Sequence, residues 1–137
     1  MSAPKDFLYN NARHLFATAG LNWTTSTIHA ALLNSLYTPS LTDVHVADIP
    51  SGAFIVRDIA LMGLGELHGV CFGEIPQFNS FASAYPVRAV LLYKNVANDA
   101  VSPLIYYSST GPGFPFLAQG FNYYVGFDSA NGGWFQV

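Results

Sequence analysis

Charge is what this sequence has least of. Only 9% of its 137 residues are Asp, Glu, Lys or Arg, against roughly 25% in an average soluble domain. A monomer usually keeps charge on its surface for solubility, whereas the centre of a protein–protein interface is depleted in it. The shortage therefore predicts that partners cover much of the surface. Basic residues are the scarcest: Lys5, Arg13, Arg57, Arg88 and Lys94 stand singly, and the net charge is −3. A phosphate-neutralising surface needs its cations clustered, so no nucleic-acid partner is expected. Cysteine occurs once, at Cys71, which rules out an intrachain disulfide. Between Val70 and Phe72 it reads as a small buried hydrophobe. No apolar run approaches the roughly 20 residues of a spanning helix, and nothing of signal-peptide type follows Met1. No membrane association is expected, and the chain is expected to stay in the cytosol of the cell that makes it.

Motifs for chemistry are also lacking. The histidines His14, His29, His45 and His68 form no H-x-x-x-H pair, and a single cysteine allows no C-x-x-C, so no metal site is expected. His29, inside an apolar run, reads as a hydrogen-bonded interior residue. Glu66 and Glu74 are the only glutamates, and nothing in their spacing brings them to one cleft as paired acid and base. No serine sits in a G-x-S-x-G elbow. Gly111-Pro112-Gly113 cannot cradle phosphate, because Pro112 removes an amide donor and no lysine follows. No catalytic residue or cofactor is expected, and the chain reads as a non-enzyme.

Apolar and aromatic residues are abundant, at 51% and 15%. From Asp6 to Ala19 they recur at three- and four-residue spacings, with Asp6 and Gly20 as start and stop signals, which predicts a helix over 6–19. The period then changes. Thr27 to Leu33 lacks clean alternation and reads as a central strand buried on both faces. Asn34 to Pro50 is a long connection holding one helical turn near Asp43 to Asp48. Strands are predicted over Ala53 to Leu61, Glu66 to Phe72, Val87 to Tyr93, Pro103 to Tyr107, Phe121 to Phe127 and Trp134 to Val137, with a loop from Pro76 to Pro86. The strands beginning at Val87 and Pro103 form a hairpin, and Asn131-Gly132 suits a tight turn before the last strand. The expected fold is a single mainly-β domain over 1–137: a β-sandwich or partly closed barrel of six to seven strands with one N-terminal helix.

Aromatics crowd the C-terminal third. Alternate strand positions face opposite ways, so the pairs Tyr106/Tyr107 and Tyr123/Tyr124 each place one ring outside the core. The Gly/Pro-rich loop from Ser108 to Phe116 carries Phe114 and Phe116. Tyr106, Tyr107, Pro112, Phe114 and Phe116 are the candidate partner interface, since aromatic anchors dominate binding energy. Plain core packing and sugar stacking are the competing uses of such rings.

Several segments recur in a fixed order. Asn22-Trp23, Thr27-Ile28 and Ala31-Leu32 fit a "D/N-W-x-x-x-T-I-x-x-A-L" opening, and Tyr37-Thr38-Pro39 supplies a "Y-T-P". Ala89 to Lys94 and Ser102 to Tyr107 follow, and Asn131 to Trp134 closes with "N-G-x-F/W". From Phe7 to Val137, with a departure over Leu61 to Tyr85, this layout resembles small virion structural proteins of tailed bacteriophages. The resemblance implies a particle protein assembled in the host cytoplasm. A capsid decoration (cement) protein is expected, self-associating as a homotrimer and bound to the major capsid protein. A tail component bound to other tail proteins, and a carbohydrate-binding module, are the alternatives.

Overall fold

The computed structural model describes residues 6–67, 70–74, 76–79, 81–109, 114–124 and 135–136, the last two by backbone alone. The chain is mainly β and is not closed into a barrel, in keeping with a sandwich-like fold. Its centre is a five-stranded antiparallel sheet in the order β1-β8-β7-β2-β3. These strands span Asp6–Leu8 (β1), Ile28–Leu33 (β2), Phe54–Ala60 (β3), Ala89–Lys94 (β7) and Leu104–Ser108 (β8). Two smaller sheets accompany it. One joins Gly65–Leu67 (β4), Val70–Phe72 (β5) and Phe135–Gln136 (β10), and the other joins Gln77–Phe78 (β6) and Tyr123–Tyr124 (β9).

Strand β2 lies between β7 and β3, and Ala30 to Leu33 are all fully buried. A strand covered on both faces has no polar side to alternate with, which is why its sequence is a continuous apolar run. Its neighbour β7 is apolar from Ala89 to Tyr93 for the same reason. β7 and β8 form the expected hairpin, with Leu91 opposite Tyr107 and Leu92 opposite Tyr106. Ser102 closes the turn between them: its hydroxyl donates to the Asn98 carbonyl and accepts from the Val96 amide.

Three elements differ from the sequence expectation. The helix, α1, covers Asn10–Ala17 rather than 6–19. Asp6 to Leu8 pair instead with Ser108 to Tyr106 on β8, so a non-local ladder overrides local helical periodicity. Glu66 to Phe72 is not one strand, because β4 and β5 pair antiparallel, with Gly65 opposite Phe72. Phe72 also explains that glycine: a Cβ on Gly65 would fall 2.3 Å from the Phe72 ring. Within the expected loop 76–86, Gln77 and Phe78 form β6, so the described residues hold ten strands rather than six or seven. The single helical turn in the long connection is a 3-10 turn at Val46–Asp48. The carboxylate of Asp48 accepts the Val44 and His45 amides, and those bonds hold it below its ordinary value.

β10 pairs with β5, Phe135 opposite Cys71 and Gln136 opposite Val70, so this stretch is tied into a sheet as anticipated. The Asp128–Gly133 turn, Trp134 and His68 lie outside the described residues.

Candidate assembly surface

The sequence-nominated aromatics take positions nearer the core than a docking loop would give them. Tyr107 is buried, stacked on Phe7 at 5.4 Å and meeting Tyr37 edge-on at 5.9 Å. Tyr106 is half-buried against the core. Phe114 and Phe116 are also half-buried and packed on the core, their rings nearly parallel at 6.1 Å. Phe116 continues into Tyr123 at 5.0 Å, and Tyr123 into Phe81 at 5.2 Å. Pro112 lies outside the described residues.

The strongly exposed aromatics are others. Residues 77–79 and 81–87 run antiparallel to 116–124 as an irregular ribbon. Gln77 faces Tyr124, Phe78 faces Tyr123, Ala82 bridges Gln119 and Val87 bridges Phe116. The first three pairs keep one register. The fourth does not, because four residues separate Ala82 from Val87 and only two separate Phe116 from Gln119. Backbone bonds hold the ribbon together, from Gly120 to the Phe81 carbonyl, from Ser83 to Ala118, and in both directions between Val87 and Phe116. Its inner side is anchored by fully buried Phe78 and Val87. Tyr85, Phe121 and Tyr124 of the ribbon are 61%, 66% and 69% exposed, and Leu117 is 48% exposed. Neither strand of the ribbon contains a charged residue; Gln77, Asn79, Gln119 and Asn122 supply its polarity.

Comparison with known protein families, curated proteins and solved structures finds no match. The reading of the surface therefore rests on its own chemistry. Exposed aromatics with amides and no ionic groups are the composition of an interface centre. Sequence reasoning weighted the Phe114/Phe116 loop, passed over Tyr85 and Leu117, and left Phe121 in the aromatic cluster without an interface role. A signal for them existed: no residue from Ile75 to Val87, or from Ala100 to Phe127, is charged.

A second cluster is polar and lies on β3, an edge of the large sheet. The β2–β3 register slips between Ala30/Ile59 and Leu32/Val56, so Arg57 and Asp58 both fall opposite Ala31. Asp58 accommodates this bulge with a left-handed backbone, φ 66°, a conformation Asp tolerates better than most residues. Tyr93 holds it from two strands away, its hydroxyl accepting the Asp58 amide and donating to Asp58 Oδ1. Burial works against the Asp58 charge, but Tyr93, Arg57 and His29 outweigh it and keep the carboxyl below its ordinary value. Arg57 forks onto Asp99 through two bonds of 2.8 and 2.9 Å, tying β3 to the β7–β8 turn. Its guanidinium also lies 4.8 Å from the centre of the Phe54 ring.

His29 was expected to be hydrogen-bonded. Its Nδ1 is buried 3.5 Å from Asp58 Oδ1 without a hydrogen bond, and its ring meets Tyr93 edge-on. Because the Tyr93 hydroxyl holds Asp58 Oδ1 and Arg57 Nε lies 3.2 Å from Oδ2, the cluster reads as a lock on the bulge. Among the described residues no group of three or more His, Cys, Asp or Glu is arranged to hold a metal ion.

Cys71 is buried, as expected, and burial together with the Glu66 carboxylate pushes its thiol up to about 11. It lines a cleft of about 320 Å³ with Phe16, Leu21, Trp23 and Glu66, where the Trp23 indole donates to the Phe72 carbonyl.

Proposed function

We propose that this chain is a non-enzymatic structural subunit of a tailed-phage particle, acting as a capsid decoration protein that works as a homo-oligomer on the major capsid lattice. The observation that carries the reading is the charge-free ribbon with Tyr85, Leu117, Phe121 and Tyr124 exposed. A soluble monomer gains nothing from exposing three large aromatics on one narrow element, and exposed apolar patches of this kind mark contact surfaces. The ordered resemblance to small virion proteins, from Phe7 to Val137, supports a particle as the assembly. The energetics suit that role. A ligand that binds only the assembled lattice stabilises it by mass action, about 2.7 kcal/mol at a free concentration one hundred times its Kd. A trimer would match a local threefold axis of the shell.

The test is the chain's place in the intact virion. Density for it on the outer face of the head, against the major capsid protein, is the expected result. Density along the tail or at its tip would replace decoration with a tail role. Absence of the chain from purified particles would overturn the virion reading altogether.

A further inference from the structure

We infer that the occupant of the ribbon formed by 77–79, 81–87 and 116–124 is a second copy of this chain, its aromatics Tyr85, Phe121 and Tyr124 meeting their own counterparts. The inference rests on reading the ribbon as the assembly surface, and names the partner.

The argument begins with symmetry. Around a rotation axis, identical side chains of successive copies converge. Any charge near the axis therefore meets its own sign, and such juxtaposition is strongly unfavourable once water is excluded. A surface for a different partner escapes this limit, because the partner can supply the complementary sign. A net charge of −3 makes two copies repel in general, so a self-contact belongs where local charge is absent. The ribbon meets that condition, whereas the exposed β3 edge carries Arg57 and Asp58 with Asp99 alongside.

Area supports the same occupant. The exposed parts of Tyr85, Phe121 and Tyr124 offer on the order of 400 Å² of aromatic surface. A standard stable interface takes about 800 Å² from each partner, and Leu117 with the flanking amides of Gln77 and Gln119 extends the face toward that size. These two amides can pair across the axis, since each both donates and accepts. The backbone at Tyr124 is fixed by its pairing with Gln77, and Phe121 lies between the pairs Tyr123/Phe78 and Gln119/Ala82, so these two rings are presented on a preorganised support.

The experiment is sedimentation velocity on the full chain, in low and high salt, with three variants: Phe121→Ala, Tyr124→Asp and Tyr124→Lys. Both positions are mostly exposed, so the variants should keep the wild-type melting curve and far-UV spectrum. Wild type should associate at tens of micromolar, with little change between the two salt conditions. Phe121→Ala should associate about thirty-fold more weakly. Tyr124→Asp and Tyr124→Lys should each be monomeric in low salt and regain association when mixed one to one.

A wild-type chain that stays monomeric, or variants that associate like wild type, would overturn the inference. So would a mixture no more associated than its components. None of these outcomes bears on particle location, which is read separately from virions. A monomeric chain found on the head would sink the self-contact and spare the decoration role. Ribbon-mediated oligomers absent from every particle would do the reverse.

Discussion

Tyr93→Phe removes one oxygen from the interior and nothing else, and it isolates what holds the β3 bulge in place. The ring stays fully buried in β7, so no cavity forms. Lost are the bond to the Asp58 carboxylate and the bond from the Asp58 amide. A hydrogen bond to a charged group contributes about 1.5–3 kcal/mol, and a neutral one about 1 kcal/mol. The Asp58 side chain is 53% exposed, so water replaces part of the first term and its low end applies. The expected destabilisation is about 2–3 kcal/mol, or roughly 7–10 °C in melting temperature for a chain of this length. Acid should narrow the difference. The folded value of Asp58 is depressed from 3.8. Its contribution is therefore complete above that ordinary value and is lost as pH falls through the lower folded one. Tyr93→Phe has less of this term to lose, so the two melting curves should converge at low pH. Equal melting temperatures at neutral pH would refute the claim that the hydroxyl holds the left-handed residue. A gap that stays constant into acid would show that the carboxylate is not its partner.

Other outcomes follow from the same structure. Phe114→Ala/Phe116→Ala should lower stability by about 3–5 kcal/mol, half the value for two fully buried phenylalanines; an unchanged melting curve would move both rings to the surface. Deleting residues 134–137 removes the strand that pairs with Val70 and Cys71, so the melting temperature should drop sharply. A truncated chain melting like wild type would make that strand dispensable. Cys71 should resist thiol-disulfide reagents at neutral pH and react fully in denaturant, because its thiol is buried and pushed up to about 11. Fast labelling of the folded protein would contradict that environment.

What could be read from the sequence tracks the range of the interactions responsible. β2 and the β7–β8 hairpin were visible because burial on both faces writes itself into consecutive residues, Ala30 to Leu33 and Ala89 to Tyr93. The helix start was misplaced because the partner of Asp6 is Ser108, about a hundred residues away. Phe7 and Leu8 are apolar in either conformation, so local periodicity cannot choose between them. The Asp58 bulge had no local signature either, since its supports Tyr93, His29 and Asp99 come from β7, β2 and the β7–β8 turn. The exposed ribbon was half legible. Crowding of aromatics in the last third fell on one of its two strands, and Tyr124 belonged to a pair expected to turn one ring outward. Alternation could not say that Phe114 and Phe116 pack against the core while Phe121 stays exposed, because none of the three lies in a regular strand. The stretches without charge, Ile75 to Val87 and Ala100 to Phe127, bracket both strands of the ribbon.

The two margins of the large sheet have a consequence for crowding. Among the described residues β1 offers three to any incoming chain, and β3 presents a ladder interrupted twice, with Arg57 and Asp58 at one irregularity. Short or interrupted margins of this kind are poor templates for a further strand. Open-ended growth through the large sheet is thereby disfavoured, even for a chain this poor in charge. In the proposed assembly, contacts between copies therefore fall to finite patches of side chains, and the geometry of those patches sets the number joined.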